Sequence, residues 1–508
     1  MGKVYLVGAG PGDPGLLTVR GRELLERADV VIYDFLAAPA LLRHARPDAQ
    51  IIYVGKKGGD HTLPQEGINE LLVRKAREAN TVVRLKGGDP YVFGRGAEEA
   101  EVLVEAGIPF EAVPGVTAGV AAPAYAGIPV THRRFASSVA FITGHEDPEK
   151  AGSDLDWPGI ARGANTLVFF MGMKNLPEIS ARLIENGRAA DTPCALVRWG
   201  TTSEQTSLFG DLGNIAQKAR DAGMKPPAVL VVGWVVSLRE KLDWFTIRPL
   251  FGKTVVVTRA RAQASDLVKR LEEMGARVLE TPTIRVVPPE NSAPLDEAIE
   301  RIADFDWVGF TSVNAVEYFF DRLFKSGRDA RALGGAKIAA IGPATAARLK
   351  NYGLVTDILP ETYRAESVID AFSALDMKAR RVLLPRAAEA RPVLPAELSR
   401  MGALVTEVAA YRTIAANEGK KELLDELQSG SVDMVTFTSS STVSNFASLF
   451  GPSEMAGLMK GVAVACIGPV TADTARSLGL PVRLVADEFT IDGLCRAIGG
   501  HCAAKSIG

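Results

Sequence analysis

The chain has 508 residues, 47% of them apolar, with 58 Lys+Arg against 60 Asp+Glu and a net charge of -2, more than one hydrophobic core accommodates and without the basic excess that nucleic acid demands. Two to four domains are therefore expected, and with no run of eighteen apolar residues and a strand pattern at the very start, neither a membrane span nor a signal peptide is expected. The four cysteines (Cys194, Cys466, Cys495, Cys502) form no CxxC and the five histidines no ligand spacing, which argues against disulfides and metal and for a reducing cytoplasm.

The apolar run Val4–Val7 drops into Gly8, Gly10, Pro11, Gly12, Pro14 and Gly15, and an amphipathic segment follows. This predicts strand, glycine-rich turn and a helix over Pro14–Arg27, the arrangement that offers backbone N–H groups to a ligand at the carboxyl edge of a parallel sheet. A dinucleotide loop GxGxxG needs glycine at 13, where Asp13 stands. The two prolines remove donors and an acidic side chain repels pyrophosphate, so the loop suits an uncharged or cationic ligand.

Strands are predicted at Val30–Asp34, Ile51–Val54, Thr81–Lys86 and Phe110–Val113, with helices at Pro64–Ala79, Gly94–Ala106 and Thr117–Ala126 between or after them. Such alternation implies an α/β lobe, residues 1 to about 145, with ligands at the strand ends. Asp34, Lys56 and Gly87-Gly88-Asp89 all fall there. Asp34 caps the next turn or serves as a base. Lys56 and Lys57 are solvated or meet a carboxylated substrate. Gly87–Pro90 reads as a turn whose Asp89 pairs with a cation or holds a hydroxyl, and Thr117 reads as an N-cap.

A second α/β lobe is expected over about 150–240. Its strands are Thr166–Met171, Cys194–Trp199 and Ala228–Val232, with a helix near Asn175–Asn186 and a turn at Gly200-Thr201-Thr202. Met171, at a strand end before glycine, is core filler or lines a ligand.

VYLVGAGPGDPGLLTVRG (Val4–Gly21), RLKGGDPYVFGRG (Arg84–Gly96) and VPGVTAG (Val113–Gly119) resemble the uroporphyrinogen-III C-methyltransferase family, over about the first 240 residues. The resemblance implies a two-lobed tetrapyrrole methyltransferase fold over 1–245, S-adenosylmethionine held between the lobes, and a homodimer. It implies cofactor contacts at Pro11, Gly87, Gly88, Asp89, Val92, Thr117, Ala118, Met171, Gly200 and Ala228. Asp34 and Lys56 take the places of the family's proton acceptor and donor. A sulfonium is positive and carries no phosphate, in keeping with the loop chemistry. The porphyrinogen substrate has eight carboxylates, so Arg84, Lys86, Arg95, Arg133 and Arg134 are candidates to line its entrance.

Near FTIRPLFG (Phe245–Gly252) the pattern restarts, with a strand at Thr254–Thr258 ending in Arg259. Gly252-Lys253-Thr254 mimics the end of a Walker A loop, but the first glycine of that motif would be Ile247, so the motif is rejected. FTSVNAV (Phe310–Val316) is similar to FTSSSTV (Phe437–Val443), and IAAIGPATAARLKNYGL (Ile338–Leu354) to VACIGPVTADTARSLGL (Val464–Leu480), about 127 residues apart. Two similar α/β lobes are implied, one built from 252–285 plus 413–500 and the other from 286–412, with crossings near Ile284–Pro289 and Tyr411–Ala415. Ser/Thr clusters before helix N-termini either cap those helices or bind carboxylates.

VTRA (Val257–Ala260), the FTS turns, the IGPxTA pairs and TIDGL (Thr490–Leu494) resemble uroporphyrinogen-III synthase, over about 252–500. The resemblance implies two flavodoxin-like lobes and closure of linear hydroxymethylbilane with inversion of one ring. It places Tyr411 at the leaving group and Arg259, Thr311, Ser312, Asn314, Ser439, Ser440, Thr471 and Thr490 at the substrate. A methyltransferase joined to the enzyme that supplies its substrate implies one bifunctional chain, serving sirohaem or cobalamin formation. Competing readings are a nicotinamide oxidoreductase in the first half and a non-catalytic two-lobed binding module in the second.

Overall fold

The computed structural model describes residues 2–55, 63–145, 155–258, 261–360, 365–416 and 419–505. Five short strands make the first sheet: β1 (Lys3–Gly8), β2 (Val30–Tyr33), β3 (Gln50–Tyr53), β4 (Thr81–Lys86) and β5 (Phe110–Val113). Their order is β3-β2-β4-β1-β5 and every pairing is parallel. Inner strands of a parallel sheet are covered on both faces, which is why β1 and β4 read as nearly unbroken Val/Leu runs. The helix predicted over Pro14–Arg27 is two pieces, a 3-10 turn at Pro14–Leu16 and an α-helix at Val19–Leu25. Thr18 separates them, because its Oγ1 accepts from Gly21 N at 3.1 Å and starts a new helix.

The second sheet contains β6 (Val139–Thr143), β7 (Thr166–Phe170), β8 (Pro193–Arg198), β9 (Thr206–Asp211) and β10 (Ala228–Val232), in the order β6-β7-β10-β8-β9. β10 runs antiparallel to both of its neighbours. The sequence pattern predicted neither β6 nor β9. Both are edge strands with mostly half-buried side chains, so neither carries the apolar run of an inner strand. The helix Ala118–Tyr125 starts beside the first sheet and packs on the second, where Ala122 joins Val168, Val197 and Val231. Its small residues allow this approach: a Cβ on Gly119 would lie 2.6 Å from Phe170 Cζ.

The second half holds β11 (Thr254–Val257), β12 (Arg277–Glu280), β13 (Ile284–Val287), β14 (Trp307–Phe310), β15 (Lys337–Ala340), β16 (Arg381–Ala387), β17 (Leu404–Ala415), β18 (Met434–Phe437), β19 (Ala463–Cys466) and β20 (Val482–Val485). One sheet has the order β12-β11-β18-β19-β20 and the other β13-β17-β16-β14-β15. Counted along the chain, the first is the flavodoxin order 2-1-3-4-5. Counted from β14, with β13 last, the second is the same order, and its edge strand β13 is antiparallel to β17. The repeat extends to the backbone: Ser312 (φ -163°, ψ 159°) and Ser439 (φ -162°, ψ 159°) precede equivalent helices, Val313–Lys325 and Ser440–Ser448.

The chain divides into two units, Met1–Thr254 with Arg270–Arg277 and Gly499–Gly508, and Val255–Lys269 with Val278–Ile498. Among the described residues no helix is long and apolar enough to cross a membrane.

Candidate active site

β1 runs out at Gly8, where three loops close on one another. A Cβ on Gly8 would stand 2.4 Å from Gly115 Cα and 2.7 Å from Gly88 O, and one on Gly115 would stand 2.3 Å from Gly88 O. Only glycine permits this approach. Gly10 N donates to Gly88 O at 3.2 Å and Gly88 N to Gly10 O at 2.8 Å, tying the first loop to the second. Asp89 ties the second to the third: its Oδ2 accepts from Gly115 N at 2.9 Å, and its Oδ1 accepts from Tyr91 N at 2.8 Å. The Asp89 carboxylate thus holds backbone amides, a role the sequence did not foretell. Thr117 caps the helix Ala118–Tyr125, its Oγ1 accepting from Gly119 N at 3.4 Å. Pro11, Gly87, Gly88, Asp89, Thr117 and Ala118 are thereby gathered at the carboxyl edge of the first sheet. Val92 follows on the turn after Asp89.

The second sheet presents its own edge, where β7 and β8 end and β10 begins. Met171 sits there, 52% exposed and in the left-handed region at φ 55°. Gly200 follows β8, and Ala228 pairs with Arg198 across β10 and β8. The lobes of this unit touch through the first loop: Asp13 N donates to Thr201 Oγ1 at 3.0 Å, and a Cβ on Gly12 would lie 2.5 Å from Thr202 Cγ2. The Asp13 side chain was expected to face a ligand; instead Oδ1 accepts from Gly15 N at 2.7 Å and Oδ2 from Tyr125 OH at 2.7 Å. The side chain joins loop to helix, and the missing glycine at 13 and the two prolines remain as the case against phosphate. Phe35 meets Trp199 edge-on at 5.5 Å, and Phe93 lies 5.1 Å from Phe170.

Asp34 follows β2, with its side chain 26% exposed. Its Oδ1 accepts from Leu36 N at 3.2 Å, the capping contact, and its Oδ2 accepts from Arg84 Nη2 at 2.9 Å. Arg84 and Lys86 do not line an entrance. They are 3% and 4% exposed and turn inward, where Arg84 Nε (3.2 Å) and Lys86 Nζ (2.7 Å) both donate to Glu99 Oε1. Two charges on a covered strand cannot remain unpaired, so they converge on an acid. Burial, then the Arg84 charge, pulls Lys86 below the ordinary lysine value, against the opposing pull of Glu99 and Asp34. Arg95 pairs with Glu98 at 2.6 Å, while Arg133 and Arg134 are exposed. Lys56, Lys57 and Arg259 lie outside the described residues. Glu99 escaped the sequence reading. Its one signal is an acid on the apolar stripe of the helix Gly96–Glu105, between Gly96, Ala100 and Leu103.

In the second unit, Ser312 Oγ accepts from Ala315 N at 3.1 Å and Ser439 Oγ from Thr442 N at 3.3 Å, so both are N-caps. Thr490 caps too, through Gly493 N at 3.0 Å. Ser440 Oγ accepts from Thr474 Oγ1 at 2.9 Å, joining two helices of the lobe. Thr471 and its counterpart Thr345 are both buried. Thr311 and Asn314 flank Ser312 and are half-buried. Tyr411 is 8% exposed, stacks on Tyr318 and shares a 3.0 Å hydrogen bond with Ser312 Oγ. The structure therefore links Tyr411 to the Ser/Thr turn of its own lobe. Among the described residues no group of three or more His, Cys, Asp or Glu side chains is placed to hold a metal.

A family model described as tetrapyrrole (corrin/porphyrin) methylases matches residues 3–216, and one described as uroporphyrinogen-III synthase HemD matches residues 265–496. A porphyrin biosynthesis protein HemD of Ruminiclostridium josui is 40% identical over 495 residues, 97% of each chain. The chain belongs to that porphyrin-biosynthesis family. It is a fusion of a tetrapyrrole methylase with a uroporphyrinogen-III synthase domain. A uroporphyrinogen-III C-methyltransferase of Bacillus subtilis (strain 168) is 46% identical over 362 residues, 71% of this chain and 74% of that one. A solved uroporphyrin-III C-methyltransferase of Thermus thermophilus, complexed with S-adenyl homocysteine, shows 41% identity, covering 47% of this chain and all of that one, with a TM-score of 0.41. Within the family, the Gly8–Gly88–Gly115 edge belongs to the methylase half and the Ser312–Tyr411 pair to the synthase half.

Proposed function

We propose that residues 252–500 close hydroxymethylbilane to uroporphyrinogen III and that residues 1–245 methylate that product twice, giving precorrin-2. The observation that carries this reading is the presence of both domain types on one chain, matched along 97% of its length by a porphyrin-biosynthesis relative.

S-adenosylmethionine fits the first edge. Gly8 and Gly115 let the loops that would hold it pack against one another, where any Cβ would clash, Pro11 offers no N–H, and exposed Met171 adds an apolar, polarizable face. Pro11, Gly87, Gly88, Val92, Thr117, Ala118, Met171, Gly200 and Ala228 would hold it, with Asp89 fixing the loop between them. When bound, it supplies an electrophilic methyl on a positive sulfur. The chain's task is then to hold a pyrrole carbon in line, mainly by position. Asp34 accepts the proton that the macrocycle releases as its tautomer changes, and Lys56 is the matching donor. In the second half, Tyr411 OH gives its proton to the departing hydroxide, and its partner Ser312 holds the phenol in place. The methylase half is proposed to pair as a homodimer.

Titration of the intact protein with S-adenosylhomocysteine and with NAD tests the cofactor. Saturable binding of the first alone is expected, and binding of NAD alone would return the oxidoreductase reading. Asp34→Ala is expected to keep S-adenosylhomocysteine affinity within about threefold while kcat for methyl transfer falls about a hundredfold or more. Equal loss of both would make Asp34 structural.

A further inference from the structure

The interior of the first lobe holds a charge cluster that no part of the mechanism above employs. Glu99 is wholly buried, yet among the described residues its hydrogen bonds all fall on Oε1: from Lys86 Nζ at 2.7 Å, Arg84 Nε at 3.2 Å and Gln65 Nε2 at 3.3 Å. Among the described residues, Oε2 is buried with no hydrogen-bond partner. A half-satisfied buried carboxylate is costly, and what it supplies here is charge. Arg84 connects this interior to the working edge. Its Nε goes to Glu99, its Nη1 donates to Leu85 O at 3.1 Å, and its Nη2 reaches Asp34 Oδ2 at 2.9 Å. All three nitrogens are engaged, so the planar guanidinium has one orientation.

We propose that Glu99, wholly buried and bonded to Arg84, is the positioning residue for the Asp34 carboxylate, acting through Arg84. This rests on the methyltransferase reading above. The interior charges balance, Arg84 and Lys86 against Glu99 and Asp34, while Arg95, the N-cap of the Glu99 helix, pairs with Glu98, and Glu66 on the helix Gln65–Glu78 adds a further negative charge near Arg95. Without the Glu99 charge, two interior cations face Asp34 alone. Arg84 is then free to swing, Lys86 competes for the same carboxylate, and Asp34 leaves the position from which it takes a proton.

The test is Glu99→Gln, which preserves shape and removes charge, beside the double variant Glu99→Gln/Lys86→Met, which removes one cation as well. For E99Q, kcat for methylation of uroporphyrinogen III is expected to fall about ten- to a hundredfold, the effect of an ångström-scale misplacement. Affinity for S-adenosylhomocysteine, read by calorimetry, is expected within about threefold of wild type, because the glycine loops are untouched. The double variant is expected to recover kcat to within about fivefold of wild type, and it is the deciding variant should E99Q fail to fold. An E99Q that methylates at the wild-type rate, a parallel loss of kcat and S-adenosylhomocysteine affinity, or a double variant as impaired as E99Q would each overturn the proposal. If wild type itself neither binds S-adenosylhomocysteine nor methylates, the methyltransferase reading has failed instead.

Discussion

At the scale of single residues, the edge proposed to hold the cofactor depends on the absence of side chains. Gly115 has an ordinary backbone conformation, so what excludes alanine is its neighbour: the methyl would stand 2.3 Å from Gly88 O. Gly115→Ala is expected to destabilise the protein by about 1–3 kcal/mol and to weaken S-adenosylhomocysteine binding more than tenfold, read by urea unfolding and calorimetry. Gly163→Ala, where a Cβ meets nothing within 4 Å, is the matched control and is expected to be neutral or stabilising in the same assays. Tyr125 makes a prediction about pH. Burial, and after it the Asp13 carboxylate, raise its hydroxyl above the ordinary 10.0. The folded protein therefore keeps a proton that the unfolded chain gives up, and stability present below about pH 10 is lost as pH rises further. Tyr125→Phe is expected to cost about 1–2 kcal/mol near neutrality. The gap to wild type in urea midpoint should narrow between about pH 8 and about pH 10.5; a constant gap would show that the proton is not held.

At the scale of elements, what could be read from sequence was whatever a local pattern encodes. The inner strands of the first sheet, the caps at Thr117, Ser312 and Ser439, and the strand ends carrying Asp34 and Gly87–Asp89 are of that kind. The edge strands β6 and β9 were missed because half-buried strands lack the apolar run. Glu99 was missed because its meaning lies in which helix face covers which strand, and Asp13 was misread because its partner Tyr125 is 112 residues away. The repeat of FTS and IGPxTA was legible, and its two copies differ in what the capping serine also touches. In the β13-to-β17 lobe the capping Ser312 also holds Tyr411, whereas Ser439 Oγ meets Ser441 at 2.9 Å. Ser312→Ala and Ser439→Ala should each cost about 1 kcal/mol as lost caps. Only Ser312→Ala is expected to slow ring closure as well, since it alone releases the Tyr411 hydroxyl; equal rates for both would remove Tyr411 from the leaving-group role.

At the scale of the whole molecule, the chain couples two kinds of site that are proposed to meet anionic tetrapyrroles differently. One is an edge of glycines and a carboxylate beside a cationic cofactor. The other is a pair of flavodoxin-order lobes whose Ser/Thr turns precede helix N-termini. Neither arrangement explains the other, and their joining on one chain is what gives the functional reading its reach. The most direct measurement is mass and isomer analysis of the products formed by the intact protein from hydroxymethylbilane and S-adenosylmethionine. The expected product is the type III macrocycle carrying two added methyl groups. Recovery of only the type I isomer that forms without an enzyme, or of unmethylated type III product with S-adenosylmethionine unconsumed, would contradict the account.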